Sequence, residues 1–225
     1  TTGSSYLEYF KIDAQLDGRV AVDARIARPE PGITLAYIIK SGETTVATGA
    51  GAPADGKYVA AGAFLRNPQL WSVERPRLYD VTLQLKQGDT VVDTVQTYFG
   101  IRKVSLENGK VAINGRPVYL KFVLDQGYWP ESLLTPPSDE AIQYDIRLTK
   151  EMGFNGARKH QKLEDPRFLY WADKMGFLVS DEMANAYLYD EQYAQRFQRE
   201  WMEAVERDIN HPSIIMWAPL NESWG

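Results

Sequence analysis

A carboxylic acid beside an amide near the end of the chain is the group best placed to do chemistry. Residues Ile214–Ala218 form a short apolar run rich in β-branched and aromatic side chains, which predicts a strand buried on both faces. Pro219 cannot donate to a neighbouring strand, so pairing should end near it. Asn221 and Glu222 then follow the C-terminal end of the strand, where barrels of alternating strands and helices carry their catalytic groups.

Two tryptophans flank this acid in the sequence, Trp217 and Trp224. Aromatic faces beside a carboxylic acid suit a sugar ring and its glycosidic oxygen. A loop glutamate placed at random is more often a solvated acid, but the neighbouring amide and tryptophans set Glu222 apart from that case. This pattern is suited to binding a sugar with the carboxylic acid beside its glycosidic oxygen.

The segment 210–225, NHPSIIMWAPLNESWG, resembles the acid/base signature of glycoside hydrolase family 2, the β-galactosidase and β-glucuronidase family. The resemblance extends upstream through most of the chain. It implies that Glu222 is the catalytic acid/base of a retaining β-glycosidase and that Asn221 binds the substrate. In this family the nucleophilic glutamate comes from a later barrel strand, so the resemblance assigns that role to no residue of this chain.

Further site residues are implied by the same resemblance. Arg158 resembles the arginine of the family motif Arg-x-x-His-Tyr-Pro, although His160 lies one place early and the Tyr-Pro is absent. Gln126 stands about where many members carry a histidine. Asp181 and Glu182 follow the third predicted barrel strand, where members often carry an Asp-Glu pair, and should point toward the C-terminal face of the barrel. The implied substrate-binding set is Asn221, Arg158, His160, Asp181, Glu182, Trp224 and Gln126. A structural role for His160 and a paired-carboxylate role for the two acids stay open as alternatives.

The elements that must position these residues alternate between strand and helix. An Asn114-Gly115 pair predicts a hairpin just before them. The predicted strands cover residues 117–123, 154–159, 177–180 and 214–218, and the predicted helices cover 138–152, 165–176 and 191–209. This order indicates parallel strands with right-handed crossovers. It predicts the first four strand-helix units of a TIM (β/α)8 barrel over residues 104–225, truncated after the fourth strand.

The first half of the chain has a different pattern. Seven short β-prone runs lie between turn formers over residues 6–103, which is typical of an immunoglobulin-like β-sandwich. Residues 67–72 and 76–79 resemble the segment that links two strands in the immunoglobulin-like domain of the family. Trp71 and Tyr79 there are expected to be core residues. The predicted domains are therefore a sandwich over 1–103 and half of a catalytic barrel over 104–225.

Composition narrows the class of protein. A hydrophobic fraction of 44% and a mean hydropathy of −0.38 fit a soluble globular protein. A net charge of −5 without a basic run argues against nucleic-acid binding, and no apolar run reaches membrane-spanning length. With two histidines and no cysteine, neither a metal nor a cofactor is expected. The start of the chain has no signal-peptide pattern, and a cytoplasmic or exported location stays open.

Two functions fit these observations. The first is a retaining β-glycosidase, β-galactosidase-like, that hydrolyses O-glycosidic bonds of β-linked sugars. This chain would be a fragment of it, lacking the nucleophile and inactive alone. The alternative is a non-catalytic immunoglobulin-like module, carbohydrate-binding or structural, with a partial barrel. The expected partner is a saccharide, and the open strand edges of half a barrel predict self-association through residues 104–225. Galactoside, glucuronide and mannoside substrates are not distinguished.

Overall fold

The structure, a computed structural model, describes residues 5–54 and 56–223. The chain divides into two compact units. One comprises Thr1–Trp71 and Arg77–Lys103, and the other comprises Ser72–Pro76 and Val104–Gly225. The candidate site lies in the second unit.

The first unit is a sandwich of two antiparallel sheets, with strand orders β1-β2-β5 and β4-β3-β6-β7. Its strands are β1 (Tyr6–Ala14), β2 (Arg19–Ala27), β3 (Ile33–Ser41), β4 (Thr44–Gly51), β5 (Tyr58–Phe64), β6 (Tyr79–Gln87) and β7 (Thr90–Phe99). Alternate side chains of the strands are buried, as in β2, because successive residues point to opposite faces of a sheet. The buried ones form a single core between the sheets. The predicted immunoglobulin-like sandwich is confirmed.

Both aromatic residues that the sequence predicted to be core residues are buried, and Tyr79 belongs to the core of the sandwich. Trp71 is fully buried, and its backbone N–H donates to the carbonyl of Ile101 over 2.8 Å. Tyr79 stacks on Phe99 with ring centroids 5.3 Å apart, and its hydroxyl accepts from the backbone N–H of Gln69 over 2.7 Å. These contacts tie the link between β5 and β6 to the core, as buried aromatic residues with a polar handle usually do.

The second unit begins with a small antiparallel sheet in the order β10-β9-β8, formed by β8 (Val104–Glu107), β9 (Lys110–Ile113) and β10 (Arg116–Pro117). Its turns are two Asn-Gly pairs in which both residues have positive φ, the geometry of type I′ hairpins. The hairpin at Asn114-Gly115 was predicted, and the one at Asn108-Gly109 was missed. The strand expected at 117–123 was placed too early, because Pro117 pairs with Ala112 in the hairpin.

Four parallel strands and three helices follow in alternation. They are β11 (Phe122–Asp125), α1 (Asp139–Glu151), β12 (Gly156–Lys159), α2 (Pro166–Met175), β13 (Leu178–Glu182), α3 (Glu191–Asp208) and β14 (Ile214–Ala218). The strands pair in the order β11-β12-β13-β14. This is the first half of a (β/α)8 barrel, as predicted, although the fourth unit has only its strand within the described residues.

Short local signals set the helix boundaries. Ser138, Asp165 and Asp190 cap the three N-termini, each accepting a backbone N–H of the first turn. Gly176 ends α2 in the left-handed region at φ 66°, and an added Cβ there would lie 2.2 Å from the carbonyl oxygen of Val73. None of the helices in the described part of the chain is long and apolar enough to cross a membrane.

The two faces of the parallel sheet have different environments. One face packs against the helices through a core that includes Ala157 and Val179 of the strands and Ile146, Phe168 and Leu169 of the helices. Because side chains alternate along a strand, the residues between these strand positions point the other way. The second face therefore carries the candidate site at the C-terminal ends of the strands.

Candidate active site

The four parallel strands end side by side, at Asp125, Lys159, Glu182 and Ala218. Parallel strands present their carboxyl ends at one edge of the sheet, so residues at or just after these positions lie close together. A hydrogen-bonded network joins five of the predicted site residues at this edge: Gln126, His160, Asn221, Arg158 and Glu182.

Arg158 stands at the centre of this network. Its Nε donates to Glu182 Oε2 over 2.9 Å, and its Nη2 donates to Asn221 Oδ1 over 2.6 Å. The Glu182 side chain is fully buried, whereas 41% of the Arg158 side chain is exposed. Within the described residues, the other carboxylate oxygen of Glu182 has no hydrogen-bond partner. Glu182 thus orients the guanidinium, and Arg158 is the member of the pair that is open to a ligand.

His160 is held from both sides of its ring. Asn221 Nδ2 lies 3.1 Å from His160 Nε2, and the amide nitrogen of Gln126 lies 3.3 Å from His160 Nδ1. A guanidinium only donates, so Arg158 fixes the Asn221 oxygen toward itself and turns the Asn221 NH₂ toward Nε2. His160 Nε2 must then accept. The neutral ring consequently carries its proton on Nδ1, and this assignment requires the Gln126 amide to face that N–H with its oxygen, exchanging the places of its oxygen and nitrogen.

Glu222 directly follows this network and is exposed. Its backbone lies in the left-handed region at φ 51°, which is uncommon for a residue with a long side chain. Such conformations cost on the order of 1 kcal/mol and cluster at functional sites. The next residue, Ser223, accepts a 2.7 Å hydrogen bond at its Oγ from Asn185 Nδ2 in the loop after β13. The loop that carries Glu222 is therefore tied to the neighbouring loop.

Asp181 does not join the other predicted residues, although both acids were expected to follow the strand and point toward the C-terminal face; both lie within β13 instead. It neighbours Glu182 in β13, and adjacent strand residues point to opposite faces. Its buried side chain lies on the helix side, where desolvation by burial and then the negative charge of Asp208 raise the pKa of the carboxyl to about 7. The backbone amide of Glu164 and the Arg207 guanidinium oppose this shift. We therefore leave Asp181 out of the proposed site.

The two tryptophans were expected to flank Glu222. Trp217 packs on the helix side instead, with its ring edge-to-face against Trp201 of α3 at a centroid separation of 5.8 Å. Ile214 and Trp217 both pack on the helix side, although strict alternation would send residues three apart to opposite faces. A register shift between β13 and β14, which the apolar run alone did not reveal, resets the alternation there. Trp224 lies outside the described residues.

Residues that the sequence did not single out also shape this site. Lys159 is buried between two carboxylates beneath the network, and the Asn185–Ser223 pair links two loops beside Glu222. The polar run Arg158-Lys159-His160 at a strand end was a usable signal, because alternation sends its middle residue to the opposite face. No group of three or more His, Cys, Asp or Glu residues in the described part of the chain is arranged to hold a metal ion.

Comparison with known proteins agrees with this architecture. The family model of "Glycosyl hydrolases family 2" matches residues 5–102, and that of "Glycosyl hydrolases family 2, TIM barrel domain" matches residues 104–225. A β-galactosidase of Lactococcus lactis is 35% identical over 167 residues, covering 70% of this chain and 17% of that protein. A β-galactosidase of Photobacterium profundum is 27% identical over 226 residues, covering 92% of this chain and 22% of that protein.

Solved structures have the same fold. A glycosyl hydrolase family 2 member from Bacteroides cellulosilyticus superimposes with a TM-score of 0.83 at 28% identity, covering 96% of this chain and 32% of that one. A Bifidobacterium dentium β-glucuronidase superimposes with a TM-score of 0.88 at 21% identity, covering 97% of this chain and 38% of that one.

The chain spans about a fifth of the length of the two β-galactosidases that it was compared with. The family models nevertheless cover both of its units, and the second of them alone matches more than half of its residues. The chain therefore belongs to glycosyl hydrolase family 2.

Proposed function

We propose that this chain supplies the acid/base half of the active site of a retaining β-glycosidase, with Glu222 as the general acid/base. The observation that carries the proposal is the position of Asn221 and Glu222 just past the end of β14, with the Asn221 amide fixed by Arg158 and His160. Catalytic groups of barrel enzymes are mounted at such strand ends. The β-glycosidase class is consistent with the β-galactosidases among its relatives.

The proposed reaction has two steps. In the first, Glu222 donates its proton to the glycosidic oxygen as the bond to the leaving group breaks, and a second carboxylate attacks the anomeric carbon. In the second, the Glu222 carboxylate takes a proton from water, which displaces the enzyme carboxylate and releases the sugar. A retaining enzyme needs its two carboxyls roughly 5 Å apart. We assign the nucleophile to a part of the enzyme outside this chain.

Asn221 is proposed to bind the sugar at a hydroxyl beside the reacting carbon, in keeping with contacts to the 2-hydroxyl that strengthen in the transition state. The Asn221 oxygen has two lone pairs and its nitrogen two hydrogens, and the bonds to Arg158 and His160 use one of each. One acceptor site and one N–H of a fixed amide therefore stay available to a substrate. Arg158, His160 and Gln126 are proposed as further substrate contacts, and Glu182 as the residue that orients Arg158.

The sugar is proposed to be a β-galactoside, on the relationship with the β-galactosidases. A panel of chromogenic β-galactosides, β-glucuronides and β-mannosides tests this, using a polypeptide that contains this chain and a complete barrel. A higher kcat/KM for the galactoside than for the other sugars supports the assignment. A higher kcat/KM for another sugar overturns it, without bearing on the acid/base role of Glu222.

The dependence of the reaction on the leaving group tests the acid/base role in the same polypeptide. Glu222→Ala should lower the rate with poor leaving groups by about 10²–10⁴-fold, the usual contribution of general acid–base catalysis. Activated aryl leaving groups need little protonation, so their departure should be affected much less. The matched control is Glu203→Ala, at an exposed glutamate of α3, which should affect neither class. An equal loss with all leaving groups would count against the role proposed for Glu222.

A further inference from the structure

Lys159 is a charged residue in the core of the second unit, and the proposed chemistry does not use it. Its side chain is 2% exposed, and its Nζ lies 2.5 Å from Asp125 Oδ2 and 2.5 Å from Glu164 Oε2. The ammonium also lies 4.1 Å from the ring centroid of Phe168. Buried ion pairs add little net stability because desolvation offsets their attraction, but they can specify a single arrangement of the chain. The position of Lys159 therefore points to a role in geometry.

The two acids that contact Lys159 hold different parts of the chain. Asp125 ends β11, and its Oδ1 accepts a 2.7 Å hydrogen bond from the backbone N–H of Gly127. This carboxylate thus spans the backbone on both sides of Gln126. Glu164 precedes α2 and accepts through Oε1 from Lys162 Nζ over 2.9 Å and from the Asp165 backbone over 2.8 Å. Lys159 consequently joins the end of β11 to the start of α2.

The contacts of Lys159 also affect the positions of the site residues on the opposite face of the sheet. Lys159 stands between Arg158 and His160, so alternation places it behind the two residues that contact Asn221. The backbone N–H of His160 also donates to the Asp125 carbonyl over 2.8 Å. When Lys159 holds Asp125, the chain on either side of Gln126 is fixed relative to His160. The 3.3 Å approach of Gln126 to the His160 ring follows from this arrangement.

We propose that Lys159 is a positioning residue: its buried ammonium, bound between Asp125 and Glu164, fixes the end of β11 against the end of β12 and so sets the contact of Gln126 with His160. The positioning itself stands on geometry alone. Its consequence for turnover rests on the proposed glycosidase function.

The state of the His160 ring in the 225-residue chain tests the positioning. The chain has only two histidines, so long-range ¹H–¹⁵N spectra of the imidazoles contain two sets of signals, which a His160→Gln variant assigns. In Lys159→Met the His160 Nδ1 and Nδ1–H signals should shift, because that N–H loses its contact with Gln126, while the Nδ1-protonated form set by Asn221 is kept and the His211 signals stay in place. Unchanged His160 signals in a folded Lys159→Met chain overturn the proposal.

Lys150→Met is the matched control. Lys150 is a half-buried lysine whose ammonium binds the backbone carbonyls of Met175 and Gly176 at the end of α2, away from the strand ends that carry the site. Its loss should leave the His160 signals unchanged, and a shift equal to that of Lys159→Met overturns the proposal. Lys159→Arg keeps the charge and should restore part of the native signal.

Asp125→Asn keeps the proposal testable if Lys159→Met does not fold. Asp125 is 23% exposed, and asparagine preserves its size and an acceptor for the Gly127 N–H while removing the charge that Lys159 binds. The His160 signals should shift in the same direction as expected for Lys159→Met. Unchanged signals in the folded Asp125→Asn chain again overturn the proposal.

Kinetics of a polypeptide with the complete barrel test the consequence for turnover. Lys159→Met should lower kcat/KM on the order of 10²-fold, the scale expected for a small misplacement of a substrate-positioning group. The loss should fall more on kcat than on KM, and Lys150→Met should not reproduce it. Shifted His160 signals with unaltered kinetics overturn a role in the reaction. An inactive parent polypeptide instead contradicts the proposed function, and the spectra still decide the positioning.

Discussion

Replacing Asp181 by asparagine should change how the stability of the second unit depends on pH. The Asp181 side chain is fully buried on the helix side of β13, close to Asp208, Arg207 and Glu164. Burial and then the charge of Asp208 raise the pKa of its carboxyl from 3.8 to about 7. The folded chain therefore binds a proton at Asp181 over a pH range in which the unfolded chain has released it.

The sign and size of the effect follow from this difference in proton binding. A carboxyl that keeps its proton in the folded state contributes stability that is fully present below the unfolded pKa of 3.8, and this stability is lost as the pH rises to about 7. Each pKa unit corresponds to about 1.36 kcal/mol, so the free energy of unfolding falls by about 4 kcal/mol over the whole pH range between the two pKa values. About 3 kcal/mol of this loss occurs above about pH 5.

Asparagine has nearly the same shape and is neutral at every pH, so the variant should not lose this stability. The free energy of unfolding of Asp181→Asn, relative to the parent chain, should rise by about 3 kcal/mol between about pH 5 and about pH 8. Urea unfolding followed by tryptophan fluorescence measures this. In the described part of the chain, Trp71 is the only tryptophan of the first unit, so the signal comes mainly from the second.

The control is Glu203→Gln, the same change from acid to amide at an exposed position of α3. Its stability relative to the parent chain should stay constant between the two pH values. A difference between Asp181→Asn and the parent that is equally independent of pH would refute the reasoning, because Asp181 would then be ionised in the folded chain throughout.

Two further predictions concern the 225-residue chain itself. It should show no robust glycosidase turnover, because the proposed mechanism takes its nucleophile from outside the chain and acid–base help alone is worth only about 10²–10⁴-fold; turnover that is lost in Glu222→Gln would contradict this. The chain should also self-associate through residues 104–225, because within the described residues β11 and β14 each pair on one side only, leaving two open sheet edges. Sedimentation at increasing concentration tests this, with residues 1–103 alone as the monomeric control. If the 225-residue chain stays as monomeric as that control at every concentration, the predicted self-association is contradicted.

Local patterns were enough to predict most of the fold. The caps at Ser138 and Asp165, the glycine that ends α2 and the apolar run Ile214–Ala218 are signals within a few residues of the structure that they specify. The start of β11 was misplaced because Pro117 belongs to an apolar stretch that is continuous in sequence but is divided between a hairpin and a strand.

The candidate site could be predicted less completely, because it depends on contacts between distant segments. The sequence placed Arg158, Asn221 and Glu222 at strand ends, yet the hydrogen bond between Arg158 and Asn221 joins residues 63 positions apart. The orientations of Asp181 and Trp217 depend on which face of the sheet the helices cover, and a single polar or aromatic residue does not reveal that. The pairing of Lys159 with Glu164 arises from the loop before α2, for which the sequence gives no periodic signal.

The central claim, that Glu222 is the general acid/base, is tested most directly by the reaction of a Glu222→Ala variant with azide. The variant should carry this chain within a complete barrel and be given an aryl β-glycoside with an activated leaving group. The glycosyl-enzyme should then form and accumulate, because no general base remains to activate the water that hydrolyses it. Azide needs no base, so it should attack the anomeric carbon as the enzyme carboxylate departs, restoring turnover and yielding a β-glycosyl azide. Turnover that azide does not raise, with no glycosyl azide formed, would contradict the claim.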